Sequence, residues 1–287
     1  MPVVRIFLLT ALTMAAFAGN SVLCRMALKE TEIDAVSFTS IRLVSGAVVL
    51  WLIVHLRQRG SRHARDNRHS NEKGSWFSAA VLFGYASCFS FAYLTLSAAT
   101  GALLLFGAVQ ATMIGYGIWS GERLGRWQWL GVALALSGTV GLFLPGLTAP
   151  PWVGALLMLG AGIAWGVYSL RGKGAVDPIG VTAGNFMRGV AFALLLSAVL
   201  LQQMKLDGWG ISYAIASGAV ASGLGYVLWY TVLPYLRATS AATVQLSVPV
   251  ITAFGGVVLL GEAISVRLVL AAVAILGGIG LVVVERK

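Results

Sequence analysis

Long apolar stretches separated by short polar connections run through the whole chain of 287 residues. A membrane-spanning helix needs about 20 mainly apolar residues, because the hydrocarbon core of a bilayer is about 30 Å thick. The stretches do not alternate in the manner of barrel strands, and backbone polar groups inside lipid must be paired within the structure. The pattern therefore predicts ten membrane-spanning helices, at residues 6–23, 35–54, 76–96, 100–119, 127–144, 152–170, 179–201, 210–233, 240–260 and 266–284.

Composition places the chain among integral membrane proteins. Hydrophobic residues make up 58% of it and charged residues only 10%, with a mean hydropathy of +0.86. So few charges cannot cover a water-soluble surface, and the expected environment is a lipid bilayer. The first stretch has an alternative, because Ala16-Phe17-Ala18 has the small-x-small form of a signal-peptide cleavage site. It stays apolar as far as Leu23, and we therefore expect it to be retained as a helix.

Basic residues predict the orientation of the chain. The longest connection, residues 55–75, holds six of the twenty Lys and Arg residues and all three histidines. If the N-terminus is cytoplasmic, fourteen basic residues fall on the inner side, four on the outer side and two inside spans. Because cytoplasmic connections carry an excess of Lys and Arg, we expect both termini in the cytoplasm. The same rule accounts for the net charge of +10, so no nucleic-acid partner is predicted.

One pattern occurs twice, 140 residues apart. An apolar run ends on Gly121-Glu122 and is followed by a second run, and the same arrangement recurs at Gly261-Glu262. The shift of 140 also aligns Leu96 with Leu236, Ala98 with Ala238, Ala102 with Ala242, Gly115 with Gly255, Leu130 with Leu270, Leu136 with Leu276 and Gly138 with Gly278. Weaker matches at shifts of 148 and 143 extend the repeat toward the start of each half. Residues 1–146 and 147–287 are therefore each predicted to form a five-helix unit.

A unit of five helices crosses the membrane an odd number of times, so the second unit starts from the opposite side. The expected fold is all-α, with ten transmembrane helices as two inverted five-helix repeats around a central cavity. Inverted repeats are typical of secondary transporters, which carry a small solute by opening alternately to the two sides of the membrane. Carriage of a small solute is the leading functional hypothesis.

The ten spans, the two units and the Gly-Glu pairs at Glu122 and Glu262 resemble the EamA-type branch of the drug/metabolite transporter superfamily, along essentially the whole chain. The proline that often precedes the Gly-Glu pair in that family is present as Pro249 and is replaced by Val109 in the first half. A likeness to bacterial exporters of aromatic amino acids rests on Ala164, Trp165, Tyr226 and Trp229. The resemblance implies a multi-pass transporter in a bacterial-type inner membrane.

Aromatic side chains on three predicted helices are the first candidates for contact with a solute. Residues three or four positions apart share a helix face, and such faces could wall a cavity that suits aromatic and apolar groups. The candidates are Tyr85 and Phe89 in the third span, Trp165 and Tyr168 in the sixth, and Tyr226 and Trp229 in the eighth. The alternative is ordinary helix packing or, for Trp229, a place in the interfacial belt of tryptophans.

Three amides inside predicted spans complete the candidate site. Asn20, Gln110 and Gln245 are polar groups in lipid-spanning segments, where an unpaired polar group is costly and commonly faces a cavity. Their side chains could bind the ammonium and carboxylate groups of an amino acid as neutral donors and acceptors. The alternative is that they join helices by hydrogen bonds.

The charged residues in or near the spans favour structural roles. All ten acidic residues lie in connections or at span ends. Glu122 and Glu262 could latch to basic neighbours at opposite faces, or cap a helix start. Arg42 lies near enough to the outer end for its side chain to reach the interface, which predicts a mainly structural role. Arg188 is nearer the middle of its span and could meet a carboxylate, a lipid or backbone carbonyls.

These patterns predict an exporter of small amphipathic metabolites, namely amino acids including aromatic ones, that works by alternating access. The alternatives are a carrier of drugs or other metabolites from the same superfamily, and a non-transporting membrane sensor or assembly subunit. Enzyme motifs such as H-E-x-x-H and G-x-S-x-G are missing from the sequence, so we predict no enzyme activity, no cofactor and no metal site. The oligomeric state stays open, and the sequence is compatible with a monomer.

Overall fold

The computed structural model describes residues 1–60, 74–121, 123–144, 149–172, 175–236 and 244–284. Several predictions fall outside these residues: the role of Glu122, the middle of the 55–75 connection and the beginning of the ninth span. Across the described ranges the chain forms ten main helices: α1 Val3–Glu30, α2 Ala35–Gly60, α3 Trp76–Tyr93, α4 Ala98–Trp119, α5 Arg126–Phe143, α6 Trp152–Gly172, α7 Pro178–Val199, α8 Gly208–Tyr235, α9 Ser247–Leu260 and α10 Val266–Val284.

Each of the ten predicted spans corresponds to one of these helices, which confirms the all-α membrane fold. Among the described residues, seven helices are by themselves long and apolar enough to cross a membrane, and α9 is shorter, with 14 residues. The largest difference is in α1, which continues seven residues beyond the predicted end at Leu23 to Glu30. The added turns carry Arg25 and Lys29, whose side chains reach α9 and its connection to α10.

Contacts between the connections show that the helices run alternately up and down. Glu262, which follows α9, contacts Arg25 near the end of α1 and Ala98 at the start of α4. At the other end, Asp177 before α7 contacts Arg57 near the end of α2. We refer to these two extremities of the bundle as the Glu262 end and the Asp177 end.

The main contacts between helices have counterparts in which the two halves are exchanged. Exchanging the halves replaces α1 with α6, α3 with α8 and α4 with α9, and the reverse. Under this exchange the contact of α3 with α6 corresponds to that of α8 with α1, and the contact of α4 with α6 corresponds to that of α9 with α1. The pairs α2 with α7, α4 with α9, and α5 with α10 are unchanged by the exchange. Two equivalent five-helix units would produce this pattern, while the internal repeat itself stays a prediction.

Small residues allow the closest helix crossings, as is usual where lipid tails remove the hydrophobic driving force between helices. A Cβ atom added at Gly131 in α5 would collide with the carbonyl oxygen of Gly278 in α10, and the reverse is also true. Gly162 in α6 lies directly against Ala108 of α4, where an added Cβ would approach the Ala108 methyl to 2.6 Å. Backbone-to-backbone packing therefore holds the helix pairs together.

The eighth helix contains a feature that the sequence did not predict. Between the α-helical segments Gly208–Ile215 and Gly225–Val232, residues Ala216–Leu224 form a π-helix, and α8 ends in a 3₁₀ turn at Leu233–Tyr235. Short π-helical segments are uncommon and often occur at functional sites. This segment, rich in Ala, Gly and Ser, packs on α2 and α1 at the centre of the bundle.

Three helix ends explain residues that stand out in the sequence. Gly121 and Gly261 both have positive φ, at +93° and +62°, which an L side chain rarely adopts, so each Gly-Glu pair marks the end of a helix.

Asp34 caps the start of α2. One of its carboxylate oxygens accepts from the backbone N–H groups of Val36 and Ser37, and the other accepts from the backbone N–H of Lys205. Burial raises the pKa of Asp34, but the hydrogen bonds outweigh it and the net pKa is lowered. This cap therefore contributes at neutral pH and is lost as pH falls through the lowered pKa.

Candidate functional site

A narrow central cavity lies between helices of both halves. It is lined by Phe17, Asn20 and Ser21 of α1, Tyr85 and Phe89 of α3, Leu105 and Phe106 of α4, Trp165 of α6, and Ala221, Ser222 and Tyr226 of α8. The lining is aromatic and apolar with a few polar groups, which is the usual character of a site for a small organic molecule.

One wall of the cavity is a stack of aromatic rings centred on Trp165. Its ring lies nearly parallel to that of Tyr226, with centroids 5.1 Å apart. The Tyr85 ring is tilted against the Trp165 ring, with centroids 5.0 Å apart. Because rings from α3, α6 and α8 already touch, the space between them is narrow. A solute with an aromatic group would enter by separating these rings and replacing their mutual contacts with its own.

The polar part of the cavity is assembled by α1, α3 and the π-helix. The Asn20 amide donates to the Tyr85 hydroxyl at 3.4 Å and accepts from the Ser217 hydroxyl at 2.6 Å. Ser222, five residues after Ser217, accepts from the guanidinium of Arg42. Residues five apart lie about 140° apart around an α-helix but share a face in a π-helix, whose hydrogen bonds join residues i and i+5. The π-helix therefore turns both serines toward the same region.

Arg42 lies in the interior of the bundle, and the prediction that its side chain reaches the membrane interface was wrong. It is only 2% exposed, and its Nη2 donates to the Tyr85 hydroxyl at 3.1 Å. The guanidinium also lies over the Phe89 ring, 4.9 Å from the centroid. Because α2 packs tightly on the π-helix, the side chain has no open route to the interface and turns inward instead. Arg188, by contrast, donates to the Gly184 carbonyl oxygen, one of the alternatives considered for it.

The predicted site residues separate into two groups in the structure. Five line the central cavity: Asn20, Tyr85, Phe89, Trp165 and Tyr226. The other four do not. Tyr168 lines a second cavity, and the Trp229 ring packs on that of Phe17, with centroids 6.1 Å apart. Gln110, which is buried, and Gln245, which is half-buried, lie outside both linings. Among the residues that sequence reasoning missed, Ser222 belongs to a run of small residues, whose composition is the one signal that could have identified it.

A second cavity lies on the Asp177 side of the aromatic wall. Its lining includes Tyr168, Arg171, Asn185 and Tyr230. Tyr168 is stacked on Trp165 at 5.6 Å, and Tyr230 follows Tyr226 by one helical turn. The same ring system therefore separates the two cavities, which line up between the centre of the bundle and the Asp177 end.

At the Glu262 end, a hydrogen-bonded cluster joins helices from both halves. Glu262 forms an ion pair with Arg25, with Oε1 3.0 Å from Nε, and its other oxygen accepts from the N–H of Ala98 at 2.7 Å. Arg25 also donates to the carbonyl oxygen of Tyr93 at 2.8 Å. Glu262 thus acts both as a latch to a basic neighbour and as a cap of a helix start, although the helix it caps is α4 of the other half.

A multi-pass helical membrane protein whose two halves enclose a cavity of aromatic, apolar and a few polar side chains has the general form of a membrane transporter. The sequence profile of the EamA-like transporter family matches residues 4–144 and again residues 152–284. The chain belongs to this family, and it is a membrane transporter and not an enzyme.

Relatives in several bacteria cover between half and all of this chain. An uncharacterized protein of Pseudomonas aeruginosa is 55% identical over 100% of this chain and 97% of its own length. An uncharacterized transporter of Bacillus subtilis, YoaV, is 24% identical over 86% of this chain and 87% of its own. Over about half of each chain, an uncharacterized inner membrane transporter of Escherichia coli, YedA, is 30% identical. A crystal structure with 20% identity and a TM-score of 0.66 covers 97% of this chain and 99% of its own, and shows the same fold.

Proposed function

We propose that the protein exports small amphipathic metabolites, namely amino acids including aromatic ones. The observation that carries this proposal is the mixed lining of the central cavity, in which the stacked rings of Trp165 and Tyr226 occur together with the hydrogen-bonded Asn20 and Ser222. Such a cavity matches a solute with one apolar aromatic part and one polar part. A carrier of drugs or other metabolites from the same family is the alternative.

We propose that transport proceeds by alternating access between two inverted five-helix units. Two observations support this proposal: the family profile matches the chain twice, and the main helix contacts have counterparts with the halves exchanged. The Arg25–Glu262 pair joins the two units at one end, so opening of that end requires the pair to separate. Asn20 and Trp165, which belong to different units, would move apart or together in the same transition.

The orientation proposed from the basic residues places the Asp177 end in the cytoplasm of a bacterial-type cell. We expect Leu206→Cys, at the Glu262 end, to react with a membrane-impermeant maleimide added to intact cells. Val176→Cys, at the Asp177 end, should react only after permeabilisation. Both positions are more than half exposed, and the native Cys24 and Cys88 are replaced by alanine beforehand. The reverse labelling pattern would overturn the orientation.

Uptake of labelled solutes into liposomes containing the purified protein tests the proposed substrates. We expect phenylalanine, tyrosine and tryptophan to enter faster than serine, and faster than an organic cation of similar size. A protein that carries the cation and excludes the amino acids would support the drug-carrier alternative. Flux equal to that of empty liposomes for every solute would support a non-transporting role.

Trp165→Ala tests whether the aromatic wall contacts the solute. Loss of one stacking contact corresponds to roughly 0.5–1.5 kcal/mol, so flux of aromatic amino acids at low concentration should fall about 2- to 10-fold, with a smaller effect on serine. Trp209→Ala is the matched control, because Trp209 is 71% exposed and lies at the start of α8. Equal loss of flux for all solutes, accompanied by a lower melting temperature, would show that Trp165 serves packing alone.

A further inference from the structure

The guanidinium of Arg42 is buried without a partner for one of its nitrogens. Nε and Nη2 donate to hydroxyl groups of Ser222 and Tyr85, at 3.4 and 3.1 Å, but Nη1 has no hydrogen-bond acceptor. The side chain is 2% exposed. Among the described residues, the ion pairs are Arg25–Glu262, Lys29–Glu30 and Arg57–Asp177, so Arg42 has no carboxylate there to balance its charge.

A buried cation without a counter-charge is energetically costly. Removing an ion from water costs several kcal/mol, and a single buried charge normally has a counter-charge. Arg42 has two aromatic faces instead, at 4.9 Å from the Phe89 centroid and 5.3 Å from that of Tyr85, together with two hydroxyl groups. Rings and hydroxyls compensate only part of the cost. The site is therefore electrically incomplete and favours the arrival of an anion.

The position of the guanidinium connects it to the central cavity. Tyr85, Phe89 and Ser222, the three side chains that contact it, all belong to the cavity lining. Gly218 of the π-helix lies against the backbone of Arg42, where an added Cβ would be 2.8 Å from its carbonyl carbon, so the helix carrying Arg42 is held close to the lining. Arg42 itself is not among the lining residues, but its contact with the lining residue Ser222 is long, at 3.4 Å, so an anion in the polar part of the cavity could replace that hydroxyl as the acceptor.

We propose that Arg42 binds the carboxylate of the transported solute, and that the central cavity selects organic carboxylates with an aromatic or apolar body. The planar guanidinium matches a carboxylate with two parallel N–H···O bonds. The Trp165–Tyr226 wall then contacts the body of the same solute. This inference rests on the proposed function and refines it, because it excludes cationic drugs, whose charge Arg42 repels.

Binding to the purified protein tests this proposal without depending on transport. The probes are phenylacetate and its neutral analogue phenylacetamide, with binding followed by isothermal titration calorimetry in detergent. We expect wild-type protein to bind phenylacetate more tightly than phenylacetamide, and Arg42→Gln to weaken phenylacetate binding about 10- to 100-fold while changing phenylacetamide binding little. Arg42→Lys, which keeps the charge but not the planar fork, should bind with intermediate affinity.

Arg188→Gln is the matched control, because it removes an arginine from another helix without touching the cavity lining, and it should leave both affinities unchanged. Equal binding of phenylacetate and phenylacetamide by wild-type protein would overturn the proposal, and this comparison needs no variant to fold. Equal weakening of both probes by Arg42→Gln would also overturn it. Wild-type protein that binds phenylacetate through Arg42 but transports no amino acid would refute the proposed substrates and leave the carboxylate site supported.

Discussion

Replacing Glu262 with alanine is expected to destabilise the protein by about 3 kcal/mol, the lower end of the cost of breaking a buried ion pair. The side chains of Arg25 and Glu262 are only 14% and 9% exposed, so the remaining guanidinium cannot be fully hydrated. The same replacement removes the acceptor of the Ala98 N–H and so weakens the start of α4. Stability falls further because α1, α4 and the connection after α9 are no longer joined at one point.

Thermal unfolding in detergent measures this effect, with an expected drop in melting temperature of roughly 6 °C or more. Glu30→Ala is the control, since Glu30 pairs with Lys29 at the surface, where an ion pair contributes at most about 1 kcal/mol. Arg25→Met combined with Glu262→Met should recover part of the stability, because apolar side chains remove the unpaired charge. A Glu262→Ala melting temperature no lower than that of Glu30→Ala would contradict the importance of the pair.

Gly218→Ala is expected to have the second largest effect, a loss of roughly 1–3 kcal/mol from overpacking. An added Cβ would collide with the carbonyl oxygen of Arg42 and the hydroxyl of Ser45, and would lie 2.8 Å from the Arg42 carbonyl carbon. Since these atoms include backbone, α2 and the π-helix must separate to make room. The separation would stretch the contact between Arg42 and Ser222, so affinity for carboxylates should fall along with stability.

Gly84→Ala provides the comparison for this substitution. Gly84 lies in α3 with open space around the position of a Cβ atom, and alanine in a helix is favoured over glycine by roughly 0.5–1 kcal/mol. Melting temperatures should therefore move in opposite directions for the two variants. If Gly218→Ala is as stable as wild type, the close approach of α8 to α2 is not required by the fold.

Long-range contacts explain why some features escaped prediction from the sequence. The π-helix at Ala216–Leu224 has the composition of an ordinary small-residue helix, and its wider turn depends on packing against α2 and α1. α1 was expected to end near Leu23, where its apolar stretch ends, yet the helix continues to Glu30, and Arg25 and Lys29 meet partners from α9 and its following connection. The local sequence pattern contains no information on either effect, because both depend on contacts between distant helices.

The candidate site also combines residues that the sequence pattern identified with residues whose place depends on helix packing. The structure brings Tyr85, Phe89, Trp165 and Tyr226, which the sequence pattern had proposed from their shared helix faces, to the lining of one cavity. Their contact with a solute stays a prediction. The amides were less informative, and only Asn20 reached the lining. A polar side chain inside a span requires a partner, and whether that partner is a solute or a neighbouring helix depends on how the helices are rotated.

The sequence by itself determined the class of environment, the number and approximate limits of the helices and the ends marked by Gly121 and Gly261, because burial in lipid and helix termination are local requirements. Only the tertiary structure decided which side chains meet at the centre. Arg42 illustrates the reason: its distance along α2 suggested a place at the interface, but the rotation of α2 against the π-helix turns it inward. Rotation of each helix is set by the packing of all its neighbours at once, so the chemistry of the cavity is a property of the assembled bundle.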